Sequence, residues 1–286
     1  MTANMILDPF PHLTPFLTLL PPGLEELRHF PDIPDQLYPL LWQGAYPRIY
    51  DQQIPAHQWL EDYLATYIQR DVRQVLNVGD LHTFTQFLRL CAGRTAQEIN
   101  YSSLGADAGV SHNTARSWLS ILEASYIIHR LPAWHANIRK QTTKAAKIHF
   151  FDSGLVCHLL GIRDPDQLQY HPLRGAIFES WAVAEIYKTL VHDGNRVSMF
   201  HYRESRGIEF DVLVDQGDRL HVIEIKSGAT PSSGFFKNFH FLPDRLQGSM
   251  LPDKICNHVV YGGETRQQRS AGSLVPWHDV GRIVAE

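Results

Sequence analysis

The sequence predicts an α/β chain of the α+β kind, with helices gathered in the first half and a sheet in the second. Three observations carry this. From Gln58 to Leu90, Trp59, Tyr63, Tyr67, Val75 and Leu76 fall near a 3.6-residue period, and Phe84, Phe87, Leu88 and Leu90 form a second apolar stripe. From Ile208 to Ser227, two apolar, β-branched runs flank Asp215-Gln216-Gly217-Asp218, the signature of a β-hairpin. After Gly175 the patterns run helix, strand, strand, strand, helix, strand. A chain of 286 residues with 44% hydrophobic content buries a real core and divides into two or three parts. The expected divisions are 1–57, 58–162 and 163–286.

Bulk properties exclude several classes. A net charge of −4 gives no global argument for nucleic-acid binding, so any such argument is local. Cys91, Cys157 and Cys256 are odd in number and widely spaced, with no C-x-x-C pair, so neither a disulfide framework nor a zinc knuckle is expected. The sixteen histidines are scattered, with no H-E-x-x-H and no tight His/Cys cluster. No apolar run reaches the length of a membrane span, and no basic-then-apolar signal opens the chain. The expectation is a reducing, cytoplasmic location with no membrane partner.

Residues 1–60 hold ten of the seventeen prolines. Phe16 to Leu20 suggests one short strand before Pro21-Pro22, and Gly23 to Phe30 a helical turn or two. The charges of Tyr67 to Arg73 suit a solvated helix face. Leu104 to Leu119 fits a helix-turn-helix. Ala108 is small where two helices cross, Gly109 permits a positive φ, and Ser111 caps the next helix. Trp118, Leu119 and Leu122 bury that helix's inner face, which turns His112, Asn113, Thr114 and Arg116 outward as DNA-contact candidates. Two β-rich runs follow, Tyr126 to Leu131 and Ala146 to Phe151, as the wing of a winged helix requires. No acid lies between Glu123 and Asp152, while Arg130, Arg139, Lys140, Lys144 and Lys147 do. That basic block is what phosphate contact needs, and Arg139, Lys140 and Lys144 join the DNA-binding candidates. Docking of a partner protein is the competing use of such a module.

Arg163 to Pro172 has the composition of a turn-rich linker. Then come a helix (Gly175 to Leu190), a strand (Val197 to Arg203), the hairpin, a further helix (Ser232 to Leu242), strand Val259 to Tyr261, and a closing strand near Gly281 to Val284. Within the hairpin, Glu224 and Lys226 share a strand face. Asp211 sits among Phe210, Val212, Leu213 and Val214, where an ionised carboxylate is costly without a partner. Two carboxylates and an ammonium in this arrangement suit one Mg²⁺ ion and an activated water.

The hairpin resembles the core of the restriction-endonuclease-like superfamily, in which an acid on a helix precedes D and then (D/E)-x-K on adjacent strands. The resemblance implies catalytic roles for Glu179, Asp211, Glu224 and Lys226. Glu179 is the helical acid in Gly175-Ala176-Ile177-Phe178-Glu179, and Asp211 and Glu224 are the metal ligands. On a longer scale, roughly residues 16–230 resemble the C-terminal part of archaeal and bacterial AAA-type ATPases carrying a domain of unknown function (family 4143). The matching pieces are Leu19-Leu20-Pro21, Leu24-Glu25-Glu26-Leu27, Gly44-Ala45-Tyr46-Pro47, Tyr63 to Val72, the helix-turn-helix, and Phe151-Asp152-Ser153-Gly154-Leu155. Gly175 to Glu179, Arg203 to Asp211 and Ile223 to Ser227 complete them. That family begins with a G-x-x-x-x-G-K-[ST] loop, and this sequence has no Gly-Lys dipeptide. The expectation is therefore a chain without an ATP site, whose residues 1–57 are a remnant of the ATPase core and lid. Two functions follow: a Mg²⁺-dependent nuclease, or a non-catalytic DNA- or protein-binding scaffold.

Overall fold

In the computed structural model, residues 22–29, 33–75, 80–134, 145–194, 196–204, 208–241, 252 and 254–285 are described. The expected strand at Phe16 to Leu20, and the candidates Arg139, Lys140 and Lys144, lie outside the described residues. The fold is mixed α/β, with a helical first half and two sheets. No described helix is long and apolar enough to cross a membrane.

Short helices α1 (Leu24–Leu27), α2 (Leu37–Gln43) and α3 (Pro47–Asp51) lead to α4 (Ala56–Thr66), which continues as a π-helical stretch over Tyr67–Val75. Tyr46, Trp59, Tyr63 and Tyr67 stack into one aromatic column, with Tyr46 4.5 Å from Trp59 and 4.9 Å from Tyr63. Helix α5 (Leu81–Ala92) starts at Asp80, whose carboxylate accepts from Thr83 N at 3.0 Å. Asn100 caps α6 (Tyr101–Ala108) in the same way, and Ser111 caps α7 (His112–Ala124). Between them Gly109 takes φ 70°, the left-handed value a tight inter-helix turn needs. Trp118 of α7 lies edge-on to Phe84 and Phe87 of α5 at 5.2 and 5.3 Å.

Strands β2 (Ile128–Leu131) and β3 (Lys147–Phe150) pair antiparallel, Ile128 opposite Phe150, and β1 (Gln97–Glu98) adds to the outer side of β3. After α8 (Ser153–Leu159), the expected linker is instead a helix, α9 (Pro165–Tyr170). Asp164 accepts from Gln167 N at 2.7 Å, Pro165 presets the first turn, and Leu168 is fully buried.

The long helix α10 (Arg174–His192) packs on a six-stranded sheet of order β4-β5-β6-β7-β9-β8. Its strands are β4 (Met199–Arg203), β5 (Glu209–Asp215), β6 (Arg219–Lys226), β7 (Lys254–Tyr261), β8 (Gln267–Arg269) and β9 (Gly272–Pro276). The β4-β5-β6 meander is antiparallel, while β6, β7 and β9 run parallel. A 3₁₀ segment, Ser233–Phe241, bridges β6 to β7 where an α-helix was expected. The closing strand is β9, and the stretch expected to form it is a helix, α11 (Arg282–Ala285), that packs on α10. One apolar core runs from Leu24 to Val284 across the expected divisions, and a second lies under the 3₁₀ segment around Phe236 and Phe239.

Two buried acids fasten the first helices to this frame. Asp152 accepts from Ala45 N at 2.6 Å and Leu155 N at 2.7 Å, joining the end of α2 to the start of α8. There is no room beside this joint: a Cβ on Gly154 would stand 2.7 Å from the Gln43 carbonyl oxygen. Glu185 of α10 accepts from Leu24 N at 2.6 Å and holds Lys188 at 2.9 Å, and Lys188 donates to the Pro22 carbonyl. Asp152→Ala strands two interior amides, so we expect a loss of about 2–4 kcal/mol, seen as a lower urea midpoint at unchanged slope. A change under about 0.5 kcal/mol would mean the joint is held by packing alone.

Candidate metal centre

The β5–β6 ladder ends at the Val212–Ile223 pair, although β5 begins at Glu209 and β6 runs on to Lys226. On its other side β5 meets β4 through a register shift between Phe200 and Tyr202. The freed strand ends carry the acidic residues. Asp211 Oδ2 accepts from Ile225 N at 2.7 Å, and this bond fixes the Asp211 carboxylate between the strands. Glu224 Oε2 accepts from Lys226 Nζ at 2.7 Å, and the same ammonium stands 3.9 Å from Asp211 Oδ2. Asn238, from the 3₁₀ segment, donates to Glu224 Oε1 at 3.1 Å and to the Glu209 carbonyl at 3.2 Å.

Glu179 approaches from the first half of α10, and a lysine the sequence reading placed elsewhere meets it. Lys147 Nζ lies 2.9 Å from Glu179, 2.9 Å from Glu209 and 4.0 Å from Asp211, with its side chain only 4% exposed. Asp211, Glu224 and Lys226 are thus brought together, and Glu179 reaches them through Lys147. Glu209, Lys147 and Asn238 were missed. Glu209 had a signal, since it stands two residues before Asp211 on the same strand. Lys147 had none, because its partners are far away in sequence.

Four carboxylates (Glu179, Glu209, Asp211, Glu224) share two close ammoniums, Lys147 and Lys226. Arg203, 55% exposed, stands 3.9 Å from Glu209 and is shared with Glu98. Burial and the Asp211 charge push Glu179 up to about 8, against the pull of Lys147. The same two causes raise Glu224, opposed by Lys226 and Asn238. Burial works against both lysines, yet the surrounding carboxylates raise them and keep them charged. For Glu209, burial is outweighed by the Lys147 bond and its pKa is lowered.

The DNA-contact candidates divide differently. His112, Asn113 and Arg116 are exposed on α7. Thr114 is half-buried and committed to the cap, its hydroxyl 2.8 Å from Ser111 Oγ. Two members of the basic block face other duties: Arg130 is bound to Glu123, and Lys147 is the buried cation just described. The histidines and cysteines are scattered along the chain, yet the fold brings ligand atoms of His221, Cys256 and His258 within 4.8 Å of one another. Trp134 and Ala145 both bond to the β4 residue His201. Trp134 N donates to the His201 carbonyl at 2.6 Å, and His201 Nε2 lies 3.1 Å from the Ala145 carbonyl oxygen.

With the fold and site in place, residues 34–166 match the model of a domain of unknown function, DUF8612. Residues 174–280 match that of a second, DUF4143, a domain usually found in AAA-ATPase-associated proteins. Among individual proteins, the chain is similar to uncharacterized proteins of Mycobacterium bovis and Mycobacterium tuberculosis. Each is 28% identical over 174 residues, which is 61% of this chain and 38% of the relative. The aligned part therefore spans well under half of those relatives. A crystal structure of a Vibrio cholerae protein, VC1899, aligns over 88% of this chain and 60% of its own at 13% identity. Its TM-score of 0.29 carries no argument about fold.

The raised Glu179 carboxyl has a consequence for stability. Its folded pKa lies above its unfolded value, so between about 4.5 and 8 the folded chain binds the extra proton. Stability from this group is therefore lost as pH rises through that window. Glu179→Gln removes the titration, and we expect a flatter stability profile with a gain on the order of 2 kcal/mol at pH 8. Urea melts at pH 5 and pH 8 check this; parallel profiles for the two proteins would place the proton elsewhere.

Proposed function

We propose that the chain is a Mg²⁺-dependent phosphodiester hydrolase of the restriction-endonuclease-like PD-(D/E)xK type, acting on nucleic acid. The convergence of Asp211, Glu224 and Lys226 at the freed strand ends carries this reading. Carboxylates crowded there raise Glu179 and Glu224, and a bound divalent cation would relieve that crowding. The donor set fits a hard cation that takes oxygen ligands. Asp211 and Glu224 would hold Mg²⁺, which when bound supplies Lewis acidity and a water of lowered pKa. Lys226, the more exposed lysine, would orient that water or meet charge developing on the phosphate. Glu179, through Lys147, would keep the second carboxylate layer in place, and Asn238 fixes the rotamer of Glu224.

DNA is the polymer we assign. Helices α6 and α7 with the β2–β3 pair have the order of a winged helix, with His112, Asn113 and Arg116 outward. Arg139, Lys140 and Lys144 lie outside the described residues and enter this reading on their charge alone. We assign no ATP turnover to these residues, which contain no Gly-Lys dipeptide of the G-x-x-x-x-G-K-[ST] kind. One observation favours a second reading, a non-catalytic adaptor for DNA or a partner protein: Lys147 already neutralises part of the cluster from inside.

Calorimetry with Mg²⁺ and Mn²⁺ on the wild type and Asp211→Ala separates the two. We expect one divalent site in the wild type, weakened at least about tenfold in the variant. Mn²⁺-dependent nicking of DNA should vanish in Glu224→Gln and Lys226→Ala. Metal binding without cleavage of any DNA or RNA form favours the adaptor; absence of both ends the hydrolase reading. Reversal of Arg139, Lys140 and Lys144 to Glu should weaken DNA binding and reduce its salt slope by roughly two to three. An unchanged slope would mean the block is solvated.

A further inference from the structure

On β6, His221 lies three residues before Glu224, so alternation turns it to the other face of the sheet. There the parallel register sets His221 beside Cys256 and Ile223 beside His258. Cys256 and His258, two apart on β7, share a face. Strand β9 pairs with β7 only from His258 onward, which leaves the Cys256 end of that face partly open to solvent.

The two imidazoles stack with centroids 5.2 Å apart and an interplanar angle of 24°. His221 Nδ1 faces His258 Nε2 at 3.1 Å. A chain of hydrogen bonds fixes the tautomer of His221. The Gln216 amide nitrogen donates to the Val284 carbonyl at 2.8 Å, which turns Gln216 Oε1 toward His221 Nε2 at 2.9 Å. An amide oxygen there requires Nε2 to carry the proton, so the lone pair of His221 is on Nδ1 and points into the cluster. In the metal-free protein His221 Nδ1 therefore accepts from His258 Nε2–H, and a metal would take both lone pairs once that proton moves to His258 Nδ1, which has no hydrogen-bond partner among the described residues. Burial keeps both rings neutral, His221 pulled down to about 4 and His258 to about 3. Neutral imidazole is the form that ligates metal.

The geometry points to a zinc-class transition-metal site formed by His221, Cys256 and His258, separate from the carboxylate cluster on the other face. Two nitrogens bound to one zinc at about 2.0–2.1 Å in a tetrahedron stand roughly 3.3 Å apart. The 3.1 Å His221–His258 separation is already close to that. The thiolate completes a three-ligand set, and its softness selects against Mg²⁺ and Ca²⁺. Gln216 acts as the outer partner that orients one imidazole, as hydrogen-bonded carbonyls do behind histidine ligands. Solvent reaches the half-buried Cys256 and would supply a fourth ligand.

Cobalt reports this directly. Titrating Co²⁺ into the reduced, metal-free full chain should give a thiolate-to-cobalt charge-transfer band and intense four-coordinate visible bands, both saturating at one equivalent. Zn²⁺ should bleach them and Mg²⁺ should not. Cys256→Ser should abolish the charge-transfer band, His258→Ala should weaken binding at least about tenfold, and Asp211→Asn should leave the spectrum intact. Because a variant can misfold, alkylation of Cys256 in the wild type gives a second reading, with Cys91 and Cys157 shielded by burial. Zn²⁺ should slow it at least about tenfold. No charge-transfer band from the folded wild type, a band that survives Cys256→Ser, or unprotected alkylation overturns the site. The outcome is independent of the Mg²⁺ proposal, since cobalt bands that lack the charge-transfer band and vanish in Asp211→Asn would assign the cobalt to the carboxylates and overturn the His/Cys site.

Discussion

The buried ammonium of Lys147 joins the two halves of this fold. Lys147 stands on β3, the last strand of the helical half, and reaches Glu179 on α10 and Glu209 and Asp211 on β5. Taking such a charge out of water costs several kcal/mol unless its partners are close and numerous. Here three carboxylates surround it, one from α10 and two from β5. The separation of β3, α10 and β5 is therefore set by electrostatics as well as by apolar contact. Replacing Lys147 would leave three acids facing one another, a more serious fault than losing one contact.

That constraint shapes the chemistry available nearby. The freed ends of β5 and β6 put carboxylates where a ladder would have put paired amides, and Asp211 makes good one of the lost backbone bonds itself. The two lysines then differ in kind. Lys147 is enclosed and structural in its geometry, whereas Lys226 is 38% exposed and can change partners. Only a lysine of the second sort can respond to an arriving phosphate. Asn238 keeps Glu224 from following Lys226 outward.

Legibility in the sequence follows distance along the chain. The hairpin was visible because alternation and an Asp/Gly turn are local signals, and with it came Asp211, Glu224 and Lys226. Glu179 required the family resemblance, since nothing in Gly175 to Glu179 marks an acid as special. Lys147 stood in the basic block without a role of its own, because an acid-free segment says nothing about carboxylates arriving from α10 and β5. Helix α9 was missed although Asp164-Pro165 is a cap followed by a first-turn proline; Pro172 and the polar residues between outweighed that signal. His221 and His258 are 37 residues apart and meet only through parallel pairing, which no spacing rule announces.

The joints at Asp152 and Glu185 also order events in time. Ala45 finds its acceptor 107 residues downstream, and Leu24 finds its acceptor 161 residues downstream. Closing loops of that length is entropically slow, and it cannot begin on a growing chain until the distant acid has left the ribosome. Helices α1 and α2 are made first and docked late. Until α8 and α10 exist, Leu24, Leu27, Leu40 and Leu41 have no wall to pack on, and their exposure in that interval is where a chaperone would bind.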